Sequence, residues 1–139
     1  VLRHIEIAKS LNMKKISITH VNNAHNDWIR ALDFYKQELN ILKSRLSEIG
    51  GKNSAADVLK QVEHFENAFK VQRDNMDRLN HDVHLNVVSI GNQLQESKAG
   101  YIDAALLAQH NTLHERFTAE EKAINELRHQ FTQFSADWM

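Results

Sequence analysis

The chain has 139 residues, no proline, no cysteine and 4 glycines, and its 17 basic and 18 acidic side chains leave a net charge of -1 with histidine neutral. This length fits one domain, and the missing cysteine excludes disulfides, thiolate metal sites and a cysteine nucleophile. Balanced, scattered charge excludes the basic stripe of a nucleic-acid binder, and the longest apolar run, Ala104 to Ala108, is too short for a membrane span or a secretory segment.

A cytoplasmic protein is therefore expected, and Met13-Lys14-Lys15 reads as a bacterial start, with Val1 to Asn12 an extension or part of a longer precursor. Residues 1–17 are either a leader or the start of the first helix. Leu11 continues the apolar spacing backwards, whereas the β-branched stretch Ile16-Ser17-Ile18-Thr19 argues for a later start. The first helix is expected over about 18–49. Its apolar residues Ile18, Val21, Trp28, Leu32, Tyr35, Leu39, Leu42, Leu46 and Ile49 advance in steps of three and four, with His25 filling the gap. Gly50-Gly51-Lys52-Asn53-Ser54 reads as a turn, with Ser54 placed to cap the second helix.

The second helix is expected over about 55–94, with Val58, Val62, Phe65, Phe69, Gln72, Met76, Leu79, Val83, Val87, Ile90 and Leu94 as its seam. Two successive steps of four, ending at Val87, read as a stutter. Gln95 to Gly100 is a weaker break, with Ser97 as a capping residue. The third helix is expected over about 98–138, with a seam of Ile102, Leu106, His110, Leu113, Phe117, Glu120, Ile124, Leu127, Phe131, Phe134 and Trp138.

Short connections between long helices imply an all-α, up-down-up antiparallel three-helix bundle with coiled-coil-like packing. Helices of about 40 residues would be roughly 60 Å long, making a thin rod that buries less surface than a compact domain. A homodimer or another protein partner is therefore expected, with no nucleic acid and no membrane. Leu85 and Val88 lie off the seam and need a cover, either the segment Val1 to Thr19 or a second subunit.

No glycine-rich phosphate loop and no nucleophile elbow are present. A chain with almost no loops leaves little room for a catalytic triad, so no enzyme and no cofactor are expected. The histidines are the exception, at nine in 139 residues. Folding the chain about residue 51 or 52, and again about 96 or 97, sets His20, His84 and His110 at one height. His25, His81 and His114 fall one turn further on. Such a layer reads as a solvated histidine-rich surface with one or two core imidazoles, as a transition-metal site for Zn, Fe, Cu or Ni, or as a group of titrating side chains. The metal reading assigns His110, His114, His25, His20 and His84 as ligands, with Glu115, Asp82 and Asp27 at the same height. By direction, His25 and His110 sit at the seam edge, His114 and His84 on the flanks, and His81 points away.

His110 and His114 form H-x-x-x-H, which resembles one motif of the hemerythrin-like bundles and implies an iron site held by histidines and carboxylates from four helices. The chain departs from that family in having no fourth helix and no H-x-x-x-E, since Leu85 and Val88 follow His81 and His84 at that spacing. Glu126-Leu127-Arg128-His129 is similar to the E-x-x-H of ferritin-like sites, with Glu38 and His64 near its height, but no second such motif accompanies it. Trp28-Ile29 and the stretch Asp57 to Glu66 resemble a spectrin-type repeat, a three-helix bundle with an early tryptophan, and imply only that fold. Gln72 and Glu120 fall at one height, beside Arg30 or Tyr35, and read as a polar layer that fixes register. The leading functional reading is a helical bundle that acts by self-association or protein interaction, and the alternative is a histidine-based metal site.

Overall fold

The structure, a computed structural model, describes residues 2–97 and 104–138. It consists of α1 (Leu2–Lys52), α2 (Ala56–Ser97) and α3 (Ala104–Trp138), each packed on the other two. No strand occurs among the described residues. Cross-helix bonds define the topology. Lys36 of α1 pairs with Asp77 of α2, and Arg73 with Asn40, so these helices run antiparallel. Arg116 of α3 pairs with Asp82 of α2, while Tyr35 and Glu38 of α1 meet Glu121 and Arg128 of α3, which sets α1 and α3 parallel. This is the all-α up-down-up three-helix bundle that the seam spacing predicts.

Heptad spacing explains why these segments bury one stripe each. Trp28, Leu32, Leu39, Leu42, Leu46 and Ile49 of α1 meet Val58, Val62, Phe65, Phe69, Met76, Leu79 and Val83 of α2. From α3 come Leu113, Ile124, Leu127, Phe131 and Phe134. The turn end is dominated by aromatic packing, with Phe65 stacked on Phe134 at 5.1 Å and edge-on to Phe131 at 5.5 Å. At the opposite end, a separate small cluster joins Val21 and Ile90 to the half-buried Leu106 and Leu107. The side chains of Leu11, Ile18, Leu94 and Ile102 lie outside the described residues, as does the expected start of the third helix at 98–103.

Three local expectations are corrected. First, α1 begins at Leu2 and passes through Ile16 to Thr19 without a break. β-branched residues cost a helix only a few tenths of a kcal/mol each, too little to stop it. Second, Gly50 and Gly51 belong to α1, and the turn lies at Asn53-Ser54-Ala55. Glycine permits a turn without enforcing one. Here the Asn53 amide donates to the Ile49 carbonyl at 2.8 Å and ends the helix, while the Ala55 carbonyl accepts the first bond of α2 from the Leu59 N–H. Ala55, not Ser54, thus stands at the capping position. Third, α2 does not stutter. Asn86 occupies the seam between Val83 and Ile90, and Val87 is only half-buried. The true spacing is unbroken, and a polar side chain sits where an apolar one would be sought.

No helix among the described residues is long and apolar enough to cross a membrane.

Candidate functional site

The seam of α1 places His25 between Val21 and Trp28, and the seam of α3 places His110 between Leu106 and Leu113. Because α1 and α3 run parallel in register, these two polar positions meet. His25 is fully buried and His110 is 6 % exposed. His110 Nδ1 lies 3.2 Å from His25 Nε2, a hydrogen bond that requires one ring to donate and the other to accept. His25 Nδ1 is buried with no protein partner among the described residues. Placing the proton on His25 Nε2, so that it donates to His110 Nδ1, leaves a lone pair at that orphaned atom. The opposite tautomer would bury an unsatisfied N–H, the costlier arrangement.

Aromatic rings enclose the pair. Trp28 stacks on His110 at 5.1 Å and 17°, and also on Phe117 at 5.7 Å. It meets the edge of His25 at 5.3 Å. Burial, and next the neighbouring His110, push His25 down to about 4. Burial, then His114 and His20, also lower His110. His25 is accordingly neutral at pH 7.

The remaining sequence-predicted ligands lie outside this pair. His114 is exposed and tilts over Trp28 at 5.6 Å. His20 is exposed but near enough to act on His110 electrostatically. His81 and His84 are exposed on α2. Asp27 bonds Arg30, and Asp82 bonds Arg116. Among the described residues, no group of three or more His, Asp or Glu side chains is placed to hold a metal ion. Two nitrogens alone fall short of the four ligands usual for zinc. The E-x-x-H of α3 lies on a solvated face, with Glu126 and His129 exposed and Glu38 engaged by Arg128 at 2.7 Å.

A second buried polar layer lies further along the core. Glu120 is 9 % exposed, and burial pushes its carboxyl up to about 7. With the Gln72 amide turned to satisfy both groups, its NH2 donates to Glu120 Oε1 at 2.6 Å. The neighbouring Glu121 accepts from Tyr35 Oη at 2.8 Å. Burial raises Tyr35 to about 12, aided by that bond. Tyr35 therefore supplies the contribution of α1 at this height, while Arg30 is taken by Asp27. Asn86 forms a third polar feature. Its amide donates to Gln109 Oε1 at 3.2 Å, but its own Oδ1 is buried without a partner among the described residues. Sequence reading missed it, although a step of three from Val83 lands on it.

Comparison with protein-family models, with curated proteins and with solved structures gave no match.

Proposed function

We propose that the protein acts by association and not by catalysis, with a second copy of the chain covering the end of the bundle where α3 begins. The observation that carries this reading is the exposure of Leu85 and Val88, 54 % and 59 %, on α2 at that end. Beside them a groove of about 590 Å³ between α2 and α3 is lined by Leu85, Leu113 and Asn86, whose Oδ1 has no partner among the described residues.

Two further features support it. His110 lies against His25, so α3's first described residue, Ala104, stands level with about residue 19 of α1. Residues 2–18 of α1 continue past it, and the spacing of the α1 seam extends in sequence through Ile18 and Leu11. A helix with an apolar stripe and too few neighbours is marginal in water. A two-fold pairing would use the same patch on both copies.

Light scattering over a concentration series tests the reading. A dimer is expected, and Leu85→Lys with Val88→Lys should weaken it by roughly 10-fold or more, since burying each side chain is worth about 1.5–3 kcal/mol. Helix content should be unchanged. A strict monomer at high concentration, or an unchanged dimer in the double variant, overturns it.

A further inference from the structure

Successive seam positions of the three helices stack as layers. Val21, Ile90 and Leu106 make one layer, and Trp28, Val83 and Leu113 another. Between them the same spacing brings together His25, Asn86 and His110, one polar side chain from each helix, at 0 %, 3 % and 6 % exposure. The described apolar side chains form two clusters, one on each side of this layer. The larger reaches from the turn to Trp28, Val83 and Leu113, and the smaller joins Val21 and Ile90 to Leu106 and Leu107. The polar layer is therefore the joint between them.

The two rings share one proton and have no good place for a second. With His25 Nε2 donating to His110 Nδ1 at 3.2 Å, a proton added at His110 Nδ1 would set N–H against N–H. Added at His25 Nδ1, it would bury a donor that has no acceptor among the described residues. Asn86 Oδ1 stands in the same layer, yet it makes no bond with that nitrogen. The surrounding titratable groups offer no relief. His20 of α1 and His114 of α3 act against further charge on His110. On α2, Asn86 is neutral, His81 and His84 are exposed, and Asp82 is held by Arg116. Asp27 of α1 is held by Arg30, and Glu115 of α3 is exposed. Burial first, then neighbouring histidines, lower both rings, His25 to about 4.

We propose that the layer of His25, Asn86 and His110 is an acid-operated joint: uptake of a proton separates the two rings and frees the first described turns of α3 from α1 and α2, while the aromatic turn end stays closed. Those turns carry Ala108 and Gln109, part of the wall of the groove beside Leu85. Opening therefore releases the second copy. That last step rests on association through Leu85 and Val88, whereas the opening itself does not.

Hydrogen exchange of the full chain at low concentration, corrected for the intrinsic pH dependence of amide exchange, tests the joint. Between pH 7 and pH 4.5, protection over residues 104–110 should fall roughly tenfold or more beyond any change around Phe65 and Phe131. The loss should be absent with His25→Gln and His110→Gln together, which keep hydrogen-bonding side chains but take up no proton. It should persist with His81→Gln and His84→Gln, on the exposed side of α2. Histidine carbon NMR of the parent chain needs no variant: the His25 and His110 signals should titrate over the same pH interval as the loss of protection. Protection that falls evenly along the chain overturns the joint. So does an end-selective loss that survives His25→Gln with His110→Gln, or imidazole titration displaced by more than about one pH unit. Light scattering over the same interval separates the joint from the association. A dimer at pH 7 that weakens as the end opens supports both. A dimer that outlasts the opening overturns the release step. A strict monomer at pH 7 overturns association, while exchange still decides the joint.

Discussion

His25 and Glu120 are both buried, yet they respond to protons in opposite directions. His25 has a folded-state pKa near 4, below its ordinary value of 6.5. The unfolded chain therefore takes up the proton first, and the stability this residue contributes is complete above pH 6.5 and is lost as pH falls toward 4. Glu120 has a folded-state pKa near 7, above its ordinary 4.5. Its folded form holds the proton longer, so its contribution is complete below pH 4.5 and is lost as pH rises through 7. Across pH 4.5–6.5 the two effects offset each other. Glu120→Gln keeps the shape and the hydrogen bonding to Gln72 but removes one side of the balance. Urea unfolding of this variant should show a gain over the parent of roughly 2–3 kcal/mol above pH 7, shrinking to nothing near pH 4. The variant should also lose stability on acidification more steeply than the parent. His25→Leu should do the reverse, flattening the acid limb and exposing the loss at neutral pH.

At the scale of the elements, the seams of all three helices were legible because apolar side chains repeat at three and four, and burial follows that repeat along most of each seam; Trp138, expected to close the seam of α3, is instead exposed beyond the last buried residue, Phe134. What misled was residue identity. Gly50-Gly51 looked like the turn, but backbone freedom leaves a helix available, and the Asn53 side chain decides where α1 ends. Val87 looked like the seam because Asn86 is polar, although spacing alone selects Asn86. Direction alone pointed to His25 and His110 as the core imidazoles; the height count set them in different layers a turn apart, whereas α1 and α3 pair with an offset of 85 residues and bring the two rings together. The lack of convergence by His114, His20 and His84 was not legible, because it depends on side-chain angles around the bundle. Gly91 lies inside α2, and an added Cβ would meet nothing within 4 Å there or at Gly51. Gly91→Ala should stabilise the protein by about 0.5–1 kcal/mol in thermal or urea unfolding. Gly51→Ala, in the last turn of α1, should gain less.

For the whole molecule, the core is uneven along its length. The main cluster runs from Val58 and Phe134 at the turn end to Val83 and Leu113. Beyond the histidine layer, the described side chains form a second cluster of Val21 and Ile90, backed by Leu106 and Leu107. The aromatic turn end holds the larger described cluster and should be the last part of the fold to open. Amide hydrogen exchange should be slowest around Leu42, Phe65 and Phe131, and faster from about Ile90 onward in α2 and around Leu107 in α3. Association at that end should slow exchange there selectively as concentration rises, leaving the aromatic end unchanged.

The stacking of Trp28 on His110 also makes the fold its own optical gauge. An excited indole transfers an electron readily to a protonated imidazole and poorly to a neutral one, so Trp28 emission follows the proton on the ring 5.1 Å away. The chain has two tryptophans, and the other, Trp138, is 38 % exposed. In a Trp138→Phe background, emission should be blue-shifted, as befits a buried indole. It should dim on acidification, with a midpoint below the ordinary histidine value of 6.5, before any red shift marks unfolding.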